Sequence, residues 1–144
     1  SAEEELEIMD RMSRTAPKTS VSRVVTLDVI NKSRAIVDRI HLDDRLGHYI
    51  VSLVQATRDP ASVGLDDLVP YLQYGASPRA SIWLALTSRA NAFVEHRGYV
   101  TPADVKAIAP AVLRHRILTT YEAEAEGVTT DDLIERFLET VPVP

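Results

Sequence analysis

The chain contains no cysteine. Disulfides, thiolate metal sites and cysteine nucleophiles are therefore excluded from its chemistry. Glycine is sparse and scattered, at positions 47, 64, 75, 98 and 127, and neither a GxxxxGK-S/T nor a GxGxxG loop can be written from it. Any nucleotide chemistry must borrow its phosphate loop from elsewhere. No apolar run reaches the ~18 residues that a membrane helix needs, and no signal peptide is visible, so the expectation is a cytoplasmic protein without membrane contact. The four histidines, His41, His48, His96 and His115, include no pair at i, i+4 spacing, so no metal site is expected. An excess of positive charge is missing too. The formal net charge is −5, which argues against nucleic-acid binding by the whole surface.

What is present suits one soluble globular domain. The 144 residues are 45% hydrophobic and 26% charged, enough to bury a sizeable core. Ala2 to Met12 carries Leu6, Ile8, Met9 and Met12 behind Glu3-Glu4-Glu5, and acidic residues suit the first turn of a helix. Ser13 to Ser22 is polar with one proline and reads as a link. Thr26 caps a helix from Leu27 to about Asp38. Between Asp43 and Thr57, Leu46, Tyr49, Ile50, Leu53 and Val54 follow i, i+3, i+4, i+7, i+8, a core-facing stripe. Residues 60–76 read as a long connection, with Leu68, Val69, Tyr71, Leu72 and Tyr74 apolar enough to pack down.

Ser77-Pro78 places a cap and an N1 proline before a helix running to about His96. Its inward face is expected to hold Ile82, Ala85, Leu86, Ala90 and Phe93, widened by Trp83 and Val94, with Gly98 as its terminator. Thr101-Pro102-Ala103-Asp104 repeats the cap-and-proline device. Val105, Ile108, Ala109, Val112 and Leu113 follow at helical spacing, and Pro110 predicts a kink or two abutting short helices. Ile117 to Thr120 can pair with Tyr99-Val100 in a small ribbon. Thr129 or Thr130 caps a last helix to about Glu139, with Leu133, Ile134, Phe137 and Leu138 inward. The fold class expected is all-α, a helical bundle with room for one two-stranded β-ribbon.

Among the polar residues Arg79 is out of place. A cation in the first turn of a helix opposes the dipole by roughly 0.3–1 kcal/mol, so it is either a solvated side chain or one aimed at an anion. Arg114-His115-Arg116 has the opposite character, cations at a helix C-terminus. The carboxylate pairs Asp43-Asp44 and Asp131-Asp132 sit where capping explains them. Ser77 reads as a cap rather than a nucleophile, Tyr49 and Trp83 as core, and Glu122, Glu124 and Glu126 as a solvated face.

Three stretches in order carry a resemblance: Tyr49 to Arg58 (YIVSLVQATR), Gly75 to Ser81 (GASPRAS) and Arg97 to Ile117 (RGYVTPADVKAIAPAVLRHRI). Together they resemble the C-terminal region of MoxR-family AAA+ ATPases, over roughly residues 38–144. The resemblance implies that residues 1–25 are the end of an AAA+ core, or its linker helix and polar link, and that 26–144 form the AAA+ lid. It implies that Arg79 is the sensor 2 residue, catalytic in the sense of reaching the γ-phosphate. Gly75, Ser77, Pro78 and Arg79 would then form the nucleotide-facing turn. The implied cofactors are ATP and Mg2+ in the full-length protein, with none expected on this fragment alone, which should be inactive. The implied partners are the AAA+ core of the same chain, further copies in a hexameric ring, and a von Willebrand A-type protein. ATP hydrolysis would drive chaperone-like remodelling or maturation of client complexes. Two other readings remain: the lid of a magnesium chelatase-type ATPase subunit, and a free-standing helical interaction module. The roles of the 60–73 insertion and of Arg114-His115-Arg116 stay open.

Overall fold

The computed structural model describes residues 1–13, 15 and 21–144. Of the link expected at 13–22, positions 14 and 16–20 lie outside the described residues. The chain divides into two compact units, Ser1–Asn31 and Lys32–Pro144.

The first unit contains α1 (Ala2–Met12), capped by Ser1 and Glu4, each side chain bonding the other's backbone. This reciprocal cap satisfies two N–H groups that a helix start otherwise leaves open. None of its residues is buried, and Leu6, Ile8, Met9 and Met12 are all exposed. Helix α2 (Leu27–Val37) begins in this unit and ends in the second. Thr26 caps it as expected, its hydroxyl accepting the Val29 N–H at 3.2 Å.

The second unit is built on α3 (Asp44–Ala56), α4 (Arg79–Val94), α5 (Pro102–Leu113) and α7 (Thr130–Thr140). Asp43 caps α3, accepting the Arg45 N–H at 2.9 Å. The predicted stripe Leu46, Tyr49, Ile50, Leu53 and Val54 is buried throughout. Full burial of such aliphatic side chains stabilises by about 1.5–3 kcal/mol each. Helix α5 carries Val105, Ala109, Val112 and Leu113 into the same core, and α7 adds Leu133, Ile134 and Phe137. Thr129 and Asp132 form the cap of α7 by reciprocal bonds.

Several expectations are corrected. Of the long connection read at 60–76, Leu68, Tyr71 and Leu72 pack on the core as expected, Val69 and Tyr74 are exposed, and the segment holds regular structure. It forms two short 3-10 helices, Pro60–Val63 and Asp66–Tyr71, followed by β1 (Leu72–Tyr74). β1 pairs antiparallel with β2 (Leu118–Thr119), Leu72 opposite Thr119 and Tyr74 opposite Leu118. The ribbon exists, but its partner is not Tyr99-Val100. Thr120 is the reason: its N–H donates to Tyr71 O at 3.0 Å and its hydroxyl to Pro70 O at 2.8 Å, drawing 118–119 onto the end of the 3-10 helix. Tyr99 instead bridges His41 in parallel, through His41 N–H to Gly98 O (3.0 Å) and Val100 N–H to His41 O (2.9 Å).

Helix α4 is rotated relative to the expected face, of which Ala85 and Phe93 still pack, partly buried, against the core. Its buried residues are Ala80, Leu84, Ser88 and Ala92, spaced by four. Ile82 (66% exposed), Trp83 (46%) and Val94 (67%) face outward, and Leu86 is also exposed. Three of the four core positions are small, and helices pack at distances set by the side chains at the contact, so α4 can lie close against its neighbours. Trp83 is therefore not a core residue, whereas Tyr49 is.

Gly98 does not end α4. His96 does, in the left-handed region at φ 55°, with Arg97 N–H on Ala92 O (2.8 Å) and His96 N–H on Phe93 O (3.0 Å). That pair of bonds is the Schellman arrangement, here with histidine where glycine is usual. Pro110 lies inside α5 without dividing it into two helices. A further short helix, α6 (Tyr121–Glu126), occupies the stretch read as a solvated acidic face. Thr120 caps it and Gly127 closes it at φ 73°.

Candidate functional site

The site expected at Gly75, Ser77, Pro78 and Arg79 is the joint between β1 and α4. Its floor is the C-terminal end of α3. A Cβ at Gly75 would lie 2.1 Å from Thr57 O and 2.7 Å from Arg58 Cα. Glycine is needed here for backbone-on-backbone approach rather than for a turn. The next residue, Ala76, is fully buried, and its N–H donates to Thr57 Oγ1 at 3.0 Å. Thr57 is 1% exposed and donates its own hydroxyl proton to Val54 O at 2.7 Å.

Ser77 does not cap α4 with its side chain; no side-chain cap bond is present, and Pro78 stands at the cap position in helical conformation at φ −55°. Ser77 contributes its carbonyl instead, which accepts the Ala80 N–H at 2.8 Å. The proline ring fixes φ near the helical value, so the turn starts without a hydroxyl cap. Arg79 is the first residue of α4 and is exposed. Among the described residues no carboxylate lies within ion-pair distance of it. By helical spacing Trp83, Leu86 and Ala90 continue the stripe that Arg79 begins.

The other end of α4 is held by a buried carboxylate. Asp104, 1% exposed, accepts both arms of Arg97 at 2.5 and 2.7 Å. It also accepts Asn91 Nδ2 at 2.8 Å and the Thr101 N–H and hydroxyl, each at 2.7 Å. Arg97 is the main reason that the Asp104 carboxyl sits well below the usual carboxylate range. Burial opposes this, and Thr101 and Asn91 reinforce Arg97. The network ties the last turns of α4 to the first turn of α5.

The remaining candidates are structurally engaged. Arg114 pairs with Asp131 of α7 at 2.7 Å. Arg116 donates to Val112 O at 2.5 Å and lies against the His115 ring. Asp67 pairs with Arg136 at 3.0 Å. Asp43 is lowered to about 2 by the side-chain and backbone N–H groups of Arg45. A concavity of about 630 Å3 between the second 3-10 helix and α7 is lined by Asp67, Asp132, Glu135 and Glu139 among others, and includes none of residues 75–79. Among the described residues no three His, Asp or Glu side chains gather as metal ligands would. No described helix is long and apolar enough to cross a membrane.

Thr57 and the Arg97–Asp104 pair were not singled out from the sequence. For Asp104 a signal was available: it stands three residues after Thr101, the spacing of a reciprocal cap. For Thr57 there was none, since its partner is 19 residues away.

Comparison with known proteins bears on the family and the fold. Residues 69–137 match the family described as AAA lid domain. The chain is 37% identical over all 144 residues to Chaperone MoxR1 of Mycobacterium tuberculosis, covering 38% of that protein. It is 32% identical over its full length to the YeaC protein of Bacillus subtilis, covering 42% of it. Over 110 residues it is 36% identical to Protein MoxR of Paracoccus denitrificans. A crystal structure from Cytophaga hutchinsonii, provisionally assigned as an ATPase, superposes with a TM-score of 0.86 at 40% identity. The match covers 100% of this chain and 44% of that one. The chain thus spans about two fifths of the length of the first two relatives. It belongs to the MoxR-type AAA+ family, and it carries that family's helical lid.

Proposed function

We propose that this lid closes over ATP and Mg2+ held by an AAA+ core outside the 144 residues, and that Arg79 senses the terminal phosphate. The observation that carries the reading is the state of Arg79. It is a permanent cation in the first turn of a 16-residue helix, exposed and without an ion-pair partner among the described residues. The helix dipole disfavours that placement unless an anion arrives. Arginine suits the task because its planar fork of donors stays charged and matches phosphate oxygens. Gly75 seats the segment on the end of α3, Ser77 and Pro78 shape the turn, and Arg79 supplies the contact. ATP supplies the phosphoryl group; the chain's own part is one fixed positive charge and a lid that moves with it. In a hexameric ring that motion would pass to neighbouring copies and on to a client, with a von Willebrand A-type protein as partner. The name of the Mycobacterium tuberculosis relative, a chaperone, supports the remodelling role.

The exposed face of Ile82, Trp83, Leu86 and Val94 favours a second reading, a free-standing interaction module. The lid reading accounts for the same face as surface that the core covers, because Trp83 and Leu86 share a stripe with Arg79. Equilibrium binding of a fluorescent ATP analogue to the full-length protein separates the two. Arg79→Ala should weaken affinity by about tenfold, the loss expected for one charge-assisted contact. An affinity equal to wild type would remove the sensor reading and leave the exposed face of α4 as an interaction surface.

A further inference from the structure

We propose that Thr57 is a positioning residue for Arg79, fixing through its buried hydroxyl where α4 presents the guanidinium. The inference rests on the reading that Arg79 meets the terminal phosphate.

Thr57 follows the last residue of α3 and is 1% exposed. A buried hydroxyl must be hydrogen-bonded to be tolerated. A threonine hydroxyl has one proton to give and lone pairs to receive. The proton goes to Val54 O at 2.7 Å, so the lone pair is left for the Ala76 N–H at 3.0 Å. Val54 O is one of the last carbonyls of α3, which a helix end leaves unsatisfied. The Arg58 N–H passes it by and donates to Gln55 O instead. One hydroxyl therefore closes α3 and anchors the strand-to-helix joint.

The anchor is close to its target and tightly coupled to it. Gly75 lies against the Thr57 backbone with no room for a Cβ, so two successive residues, 75 and 76, are seated on the end of α3. Between Ala76 and Arg79 stand only Ser77 and Pro78. Pro78 is restricted by its ring, and Ser77 O is held by the Ala80 N–H. Ala76 and Ala80 are both fully buried, one on each side of the exposed segment 77–79. The backbone of Arg79 is thereby held, and its side chain is left free. A shift at Thr57 has little slack to absorb it before Arg79.

The test is a double-mutant cycle on ATP turnover in the full-length protein. Thr57→Val keeps the shape and removes the hydroxyl, and Thr57→Ser keeps the hydroxyl. Both are made with Arg79 present and in Arg79→Ala. Thr57→Val should lower kcat/KM by about tenfold, the scale of a small misplacement of a reacting-site group. Thr57→Ser should restore most of that loss. In Arg79→Ala, Thr57→Val should have no further effect, because residues acting through one contact are not additive. Where Thr57→Val does not fold, as judged by its melting curve, Thr57→Ala takes its place in the same cycle. Unchanged turnover in Thr57→Val, or an equal loss in both backgrounds, would overturn the positioning role while leaving the sensor reading intact. Unchanged turnover in Arg79→Ala alone would remove the sensor reading itself.

Discussion

Arg97 holds Asp104 with both guanidinium arms, at 2.5 and 2.7 Å, and Asp104 is 1% exposed. Breaking the network from the carboxylate side leaves Asn91, the Thr101 N–H and Arg97 without their acceptor. Asp104→Ala should cost about 3 kcal/mol in urea unfolding, within the range for removing one partner of a buried pair. The pH dependence has a definite sign. The folded carboxyl lies below the unfolded value of 3.8, so its contribution is complete above that value. It is lost as pH falls below 3.8 toward the folded pKa, because the unfolded chain takes up the proton first. The melting temperature of the wild type should therefore drop more steeply across this acid range than that of Asp104→Asn. Parallel curves would contradict the assignment.

Two glycines make opposite predictions. Gly75→Ala drives a methyl group to 2.1 Å from Thr57 O and should destabilise by about 3 kcal/mol, the upper end for overpacking. Gly47→Ala, inside α3 with nothing within 4 Å of its Cβ, should stabilise by roughly 0.5–1 kcal/mol through helix propensity. Thermal melts of the two variants in opposite directions would support the backbone contact at Gly75. A harmless Gly75→Ala would sink it.

The rotation of α4 is tested by neighbouring residues. Leu84 is fully buried and Trp83 is half exposed. Leu84→Ala should cost about 2–5 kcal/mol. In the 144-residue chain by itself, Trp83→Ser should change stability by less than about 1 kcal/mol, as surface substitutions do. The reverse ranking would restore the face expected from apolar periodicity.

That expectation shows where sequence pattern carries information and where it does not. In α3 the buried stripe is made of Leu46, Tyr49, Ile50, Leu53 and Val54, all large, so periodicity and burial coincide. In α4 the core positions include Ala80, Ser88 and Ala92, and the larger apolar residues Ile82, Trp83 and Val94 face outward. Periodicity weighted by hydrophobicity points the wrong way there. β1 was illegible because Leu72–Tyr74 is short and its partner lies across two helices. Arg79 stood out by its opposition to the dipole and by the motif around it. Thr57 did not, because what distinguishes it is a bond to a residue 19 positions on.

His96 offers a stabilising change. It occupies the left-handed region at φ 55° and is exposed. A non-glycine residue there costs roughly 1–2 kcal/mol. His96→Gly should raise stability by about 1 kcal/mol, since the Schellman bonds from Arg97 and His96 use only backbone atoms. A chemical denaturation curve unmoved or shifted downward would show that the imidazole contributes something the backbone bonds do not.

The central claim is that Arg79 completes a nucleotide site whose phosphate loop lies in another domain. Single-turnover ATP hydrolysis by the full-length protein, with Arg79→Ala beside wild type and Arg79→Lys, tests it most directly. Arg79→Ala should slow the step by about tenfold or more, below the 10³–10⁵ of an arginine finger because part of the role is closure. Arg79→Lys should recover only part of the rate, since a point charge replaces a planar fork. A hydrolysis rate in Arg79→Ala equal to that of the wild type would contradict the claim.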